Sequence, residues 1–233
     1  MKLEICANSF QSALYAQEGG ADRIELCSEF SVGGVTPSLG LLKEVKAHIT
    51  IPVHVLIRPR SGNFVYSDAE FKQMKTDIED CKKLGFDGIV SGVLQEDDQI
   101  DQEKTKELID LARPLTFTFH RAFDCIPDPK EGLTTLKALG VDRILTSGQK
   151  TRAIEGIDLL DQLNKQAGKD IIILAGAGIN SENIAAFKAA GIQEVHASCS
   201  IEIKEKKPFF DKSPQTVSDL QTIKELVQKI NDE

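Results

Sequence analysis

The sequence predicts a closed (β/α)8 TIM barrel, with residues 1–233 forming one α/β domain. Three observations carry that reading: a cadence that occurs four times, strand and helix signals that alternate along the whole chain, and a final amphipathic helix. The first copy of the cadence is Gly19-Gly20-Ala21-Asp22-Arg23-Ile24-Glu25-Leu26-Cys27-Ser28. A glycine ends a helix, a short polar step follows, and an apolar alternation opens a strand. Leu84 to Gly92, Leu139 to Gly148 and Ala190 to Cys199 repeat it.

Four further strands lie between these copies: Leu3 to Ala7, Pro52 to Ile57, Leu115 to His120 and Ile171 to Ala175. Helical periodicity follows each strand. Helix starts are expected at Thr36-Pro37, at Ser67 with Glu70 as a capping box, at Asp128-Pro129, at Ser181 and at Ser213-Pro214. The last helix aligns Val217, Leu220, Ile223, Val227 and Ile230 on one face. No composition shift or Pro/Gly/Ser linker interrupts the alternation, so one parallel sheet with helices outside is expected. An open doubly wound sheet alternates as well, but the recurrence and the sealing helix favour closure.

Composition narrows the function classes. With 41% hydrophobic and 27% charged residues the chain resembles an ordinary globular protein, and no apolar run approaches the roughly 20 residues of a membrane span. Net charge is −8 with no basic block, which argues against nucleic acid or an anionic membrane as partner. The start, Met1-Lys2-Leu3-Glu4-Ile5-Cys6, lacks the features of a signal peptide, and a cytoplasmic location is expected. Five cysteines without a C-x-x-C pair are expected to be free thiols.

In a barrel the active site lies at the carboxyl ends of the strands, and side-chain parity identifies what points inward there. Apolar Leu3, Ile5, Ile24 and Leu26 should face helices, leaving Glu4, Cys6, Glu25 and Cys27 inside. Adjacent strands thus present the same Glu-x-Cys pattern. His54, Leu56 and Arg58, then Thr116, Thr118 and His120, then His196 and Ser198 follow by the same rule. Superposing the repeats puts Cys27, Gly92, Ser147 and Ser198 in one rim layer, above Glu25, Val90, Leu145 and His196. Arg58, Arg60 and Arg121 are the expected cationic partners of the inward carboxylates.

Three chemistries fit this mouth. Gly176-Ala177-Gly178-Ile179-Asn180-Ser181 after the seventh strand, with Ser198 after the eighth and Ser147 from the sixth, is where barrels receive a phosphate on backbone N–H groups; such glycines also serve tight turns. His120 and Glu25 form an acid-base set, with Arg58, Arg60 and Arg121 to hold a small phosphorylated or carboxylated metabolite and Asp124 beside them. The same groups also suit a salt-bridge network that braces the mouth. No strand ends in lysine, which argues against Schiff-base chemistry. Cys6 and Cys27 on neighbouring strands offer two soft ligands for Cu(I), assisted by His196 or His54, although small cysteines also simply fill barrel interiors. Cys81 and Cys125 are read as structural. The exposed Lys204 to Lys212 segment, with Phe209 and Phe210, is read as a solvated loop.

Taken together these residues resemble the CutC copper homeostasis family over essentially the whole chain. The matching motifs are Gly19 to Ser28, Gly33-Gly34-Val35-Thr36-Pro37-Ser38, Ile57-Arg58-Pro59-Arg60, Thr118-Phe119-His120-Arg121-Ala122-Phe123-Asp124 and Leu145-Thr146-Ser147-Gly148. The resemblance implies a cytoplasmic TIM barrel, commonly a homo-oligomer, associated with copper handling and proposed to bind Cu(I) through Cys6 and Cys27. Cys199, after Ser198, departs from the small residue usual in the family and adds a thiol near the mouth.

Overall fold

Eight parallel strands close on themselves in chain order: β1 (Lys2–Ala7), β2 (Arg23–Leu26), β3 (Val53–Leu56), β4 (Gly88–Ser91), β5 (Thr116–Phe119), β6 (Arg143–Thr146), β7 (Ile172–Gly176) and β8 (Glu194–Ala197), which pairs back onto β1. The structure is a computed structural model that describes residues 1–204, 209 and 214–232. Helices α1 (Phe10–Glu18), α2 (Leu39–His48), α3 (Asp68–Leu84), α4 (Gln102–Ala112), α5 (Pro129–Leu139), α6 (Ile157–Ala167) and α7 (Ile184–Ala189) connect successive strands. After β8 a two-stranded antiparallel ribbon, β9 (Ser200–Glu202) with β10 (Thr216–Ser218), leads into α8 (Leu220–Asn231). Among the described residues no helix is long and apolar enough to cross a membrane.

Parity sorts the strands as expected. Leu3, Ile5, Ile24, Leu26, Val53, Val55 and Ile57 join the buried helix faces in one apolar layer, while Cys27, Leu56 and Val90 form a separate small cluster with Cys6 and Phe30.

The recurring aspartate of the cadence has a specific task. Asp22 accepts a hydrogen bond from the Leu3 N–H at 2.8 Å, Asp87 from Val53 at 2.9 Å and Asp142 from Phe117 at 2.7 Å. In three of the four copies the even-numbered strand therefore opens with a carboxylate that anchors the odd strand before it. In the fourth copy Gln193 stands at that place, and its carbonyl accepts from the Lys2 N–H, tying β8 to β1 where the barrel closes.

The capping box of Ser67 and Glu70 is present, and Asp128 caps α5 with Pro129 in its first turn. Other boundaries move. Ser38, not Thr36-Pro37, caps α2, because the Thr36 hydroxyl instead accepts from the Arg58 N–H. The Asn180 side chain accepts from the N–H groups of Glu182 and Asn183 and holds a turn, so α7 starts at Ile184 and not at Ser181. Asp219 caps α8, and Val217 lies in β10 and not on the helix. Ser213 lies outside the described residues, as does most of the Lys204 to Lys212 loop apart from Lys204 and Phe209.

Gly88 faces the buried His54 ring so closely that an added Cβ would lie 2.6 Å from its Cγ. Gly88→Ala is therefore expected to destabilise the fold by about 1–3 kcal/mol through overpacking. Urea unfolding measures this; wild-type stability in the variant would contradict the packing.

Candidate functional site

Charged side chains fill the base of the barrel and pair there. The Arg23 Nε donates to Glu4 at 2.5 Å and its Nη2 to Glu194 at 2.6 Å, while the Arg143 Nε reaches Glu194 at 2.9 Å. These partners replace the expected Arg58, Arg60 and Arg121. The reason is parity: Arg23 and Arg143 project inward one layer below Glu25 and Leu145, closer to the carboxylates than any mouth residue. Burial alone would raise the Glu4 carboxyl, but Arg23, His196 and His54 together outweigh it and hold Glu4 well below the usual carboxylate range. Glu194 is likewise held low, its burial outweighed by Arg23 and Arg143.

One layer up, the ionised Glu4 fixes His196. Its Oε1 lies 2.7 Å from the His196 Nδ1, and because a carboxylate only accepts, Nδ1 carries the proton. The other ring nitrogen, Nε2, faces Glu25 Oε2 at 3.8 Å. The Cys6 thiol donates to the same Glu25 oxygen at 3.1 Å and lies 3.7 Å from the Cys27 sulfur. Ligand atoms of Cys6, Glu25 and His196 all fall within 4.8 Å of one another, a spacing that can hold a metal ion. The hydrogen bond with Cys27, then burial, then the Glu25 charge push the Cys6 thiol well above its ordinary range. Burial pushes Glu25 up against the pull of His196 and with the push of Glu4. For His196 burial is outweighed by Glu25 and Glu4, so its pKa is raised.

Above this cluster opens a cavity of about 590 Å³, lined by Cys6, Glu25, Cys27, His196 and, on its walls, Phe30, Leu56, Arg58, Phe64, His120, Arg121, Asp124, Leu145, Gly178 and Ser198. Arg58 is buried, with Nη1 donating to the carbonyls of Val32 and Gly34 and Nη2 to that of Gly62, each at 2.8 Å. His120 is buried beside it with Nδ1 accepting from Ala122, and burial followed by the Arg58 charge pushes it down to about 3. It is therefore neutral at physiological pH. Arg121 pairs with Asp124 at 2.8 Å and donates to Ser147. Asp124 also accepts from Thr146, Ser147 and Gln149, tying the loops after β5 and β6 together.

The structure thus brings ten of the twelve sequence-predicted residues to this end of the barrel in two groups, with Cys6, Cys27 and Glu25 at the cavity floor and Arg58, His120, Arg121, Asp124, Ser147, Gly178 and Ser198 on its walls or just behind them. Ser147 stands behind the wall, bonded to Arg121 and Asp124. Arg60 does not line the cavity: its Nε donates to Glu70 at 2.5 Å and its other donors to carbonyls of its own loop. Gly176 is also outside the lining; a Cβ there would meet Leu145 at 2.6 Å, so its smallness serves packing. The N–H of Asn180 is taken by Asn183 and α7 is only six residues long, which leaves little of an anion-binding helix start after β7. Cys199 is partly buried and pushed up to about 12 by burial and then Asp219. Glu4 and His196 were both legible as inward residues. What parity did not show is that they bond to each other across β1 and β8, where Glu4 and His196 are register partners.

Comparison with known proteins agrees with the fold. Residues 1–201 match the CutC family. A family protein CutC of Citrobacter koseri is 50% identical over 196 residues, covering 84% of this chain and 79% of its own. A structure from Streptococcus agalactiae, named as a candidate copper homeostasis protein CutC, superposes with a TM-score of 0.81 at 35% identity and covers 85% of this chain and 98% of its own. A thiamine phosphate pyrophosphorylase from Pyrococcus furiosus, 13% identical with a TM-score of 0.63, covers 98% of this chain and 95% of its own and shares the fold alone.

Two neutral buried histidines make the protein sensitive to acid. Burial, opposed by Glu4 and aided by Arg23 and Arg143, lowers His54 to about 4. Both histidines take up protons more readily unfolded than folded, so their contribution to stability is complete above about 6.5 and is lost as pH drops toward 4. Each is expected to contribute about 1.4 kcal/mol per pH unit in that window. His196, shifted the other way, acts above it. Urea unfolding from pH 7.5 to 4 tests this, and a flat profile would contradict it; His54→Asn is expected to flatten it by one share.

Proposed function

This chain belongs to the CutC family, and we propose that it is a cytoplasmic Cu(I)-binding protein of copper homeostasis. Cys6 and Cys27 hold the ion, with His196 as third ligand. The observation that carries this reading is the donor set at the cavity floor: two sulfurs 3.7 Å apart, beside an imidazole whose Nδ1 is committed to Glu4 and whose Nε2 is turned toward Glu25. Thiolates and imidazole are the soft and borderline ligands that favour Cu(I), and free thiols suit a reducing compartment. The name of the Streptococcus agalactiae relative points the same way.

Each neighbouring group has a part in this reading. Cys6 must lose its proton to ligate, and Glu25 Oε2, already accepting the S–H at 3.1 Å, is placed to receive it. Burial favours the protonated form of Glu25, so the proton can stay there. Glu4 orients His196 and keeps its proton on Nδ1, leaving Nε2 as the ligand nitrogen. Leu56, Val90 and Phe30 pack around the two cysteines and give the sulfurs an apolar surround on the side away from the cavity.

Anaerobic Cu(I) titration against a competing chelator tests the assignment. Wild type is expected to bind a single ion, more weakly as pH falls, because the Cys27 proton must leave to solvent and Glu25 can take the Cys6 proton only while it is itself ionised. The double variant Cys6→Ser, Cys27→Ser is expected to lose all specific binding, and Glu4→Gln to lose about 10–100-fold. Unchanged affinity in the double variant would overturn the site.

A further inference from the structure

We propose that the cavity above the cysteines binds a small organic anion, its carboxylate or phosphate group lying against Arg58. A metal ion accounts for the donor cluster at the floor but not for the space above it. About 590 Å³ is the size of a small-molecule pocket, and Phe30, Leu56, Phe64 and Leu145 supply the apolar walls typical of one.

The charge pattern selects an anion. Arg23, Arg60, Arg113, Arg121 and Arg143 each hold a carboxylate at 2.5 to 2.9 Å. Among the described residues Arg58 and Arg152 hold none, and of the two only Arg58 is buried and lines the cavity. It is 6% exposed, yet its guanidinium donates only to the carbonyls of Val32, Gly34 and Gly62, lies against the Phe64 ring at 5.1 Å, and has the neutral Tyr66 hydroxyl beside it. A buried cation without an opposite charge is costly, and an entering anion would offset that cost where it is greatest.

His120 adds a second donor. Its Nδ1 accepts from the Ala122 N–H, so in the neutral ring the proton sits on Nε2, a buried atom with no partner among the described residues. The ring lies against Phe64 with centroids 4.8 Å apart and the planes tilted by 53°, so Arg58 and His120 both touch the same phenylalanine on the cavity wall. An oxyanion head with a compact apolar body matches this wall: charge for Arg58, an acceptor for His120, and hydrocarbon for Phe64, Leu56 and Leu145. Neither Arg58 nor His120 belongs to the proposed copper ligands, so the anion site stands apart from the copper reading.

Calorimetric titration of the wild-type protein, freed of metal with a chelator and dialysed, tests it with four probes: inorganic phosphate, phenyl phosphate, benzoate and neutral benzyl alcohol. The expected result is binding of phenyl phosphate or benzoate, tighter than inorganic phosphate and absent for benzyl alcohol. Which of the two binds identifies the head group. Adding Arg58→Gln is expected to weaken that binding at least about tenfold. Ser198→Phe, which adds bulk to the cavity lining from the loop after β8 and leaves Arg58 in place, is expected to abolish it. No anion binding better than benzyl alcohol overturns the proposal, as does unchanged affinity in folded Arg58→Gln. If Arg58→Gln does not fold, Ser198→Phe decides: lost binding supports the site and retained binding overturns it.

Discussion

The ladder of buried ion pairs from Arg143 through Glu194 and Arg23 to Glu4 is the interaction on which the site depends. It joins β6, β8, β2 and β1 inside the barrel, where unpaired charges would be prohibitively expensive. Its last member, Glu4, is ionised because Arg23 is there. An ionised Glu4 in turn decides which nitrogen of His196 carries a proton, and so which nitrogen is left facing Glu25. A purely apolar base would make an equally sound barrel, but it would leave the histidine without a defined tautomer.

The upper half of the cavity rests on loops tied by polar side chains. Arg58 gathers the backbone carbonyls of Val32, Gly34 and Gly62, and so joins the loop after β2 to the loop after β3. Asp124 does the same for the loops after β5 and β6. These are two versions of the brace that a charged mouth allows. They differ in one respect: Asp124 has Arg121 to neutralise it, and Arg58 has no carboxylate among the described residues. The mouth therefore has one balanced knot and one that keeps a positive charge at the cavity wall. The floor presents donors for a soft cation while the wall presents a cation, which gives the two regions different chemical preferences within one cavity.

Much of this was legible in the residues. The fourfold cadence marked β2, β4, β6 and β8, and its aspartates proved to anchor β1, β3 and β5. Glu-x-Cys on two adjacent strands placed both sulfurs inside. The boundaries that moved did so where a local side-chain bond competed with the expected cap, as at Thr36, which serves Arg58, and at Asn180, which holds a turn ahead of α7. Arg60 shows the limit of reasoning from proximity: it is two residues from Arg58, yet Glu70 draws it to the capping end of α3 and out of the cavity.

Period-two alternation is a property of each strand by itself, and so the sequence alone determined which side chains enter the barrel: Glu4, Cys6, Glu25, Cys27, His54 and His196. Partnership is a property of register and shear between strands, and those are set only when the sheet closes. Closure brought β8 against β1, put His196 beside Glu4 rather than His120 beside Glu25, and gave the carboxylates Arg23 and Arg143 in place of the mouth arginines. Which residues face inward follows from the chain; which of them touch is decided by the barrel, because every contact at its centre is between strands distant in sequence.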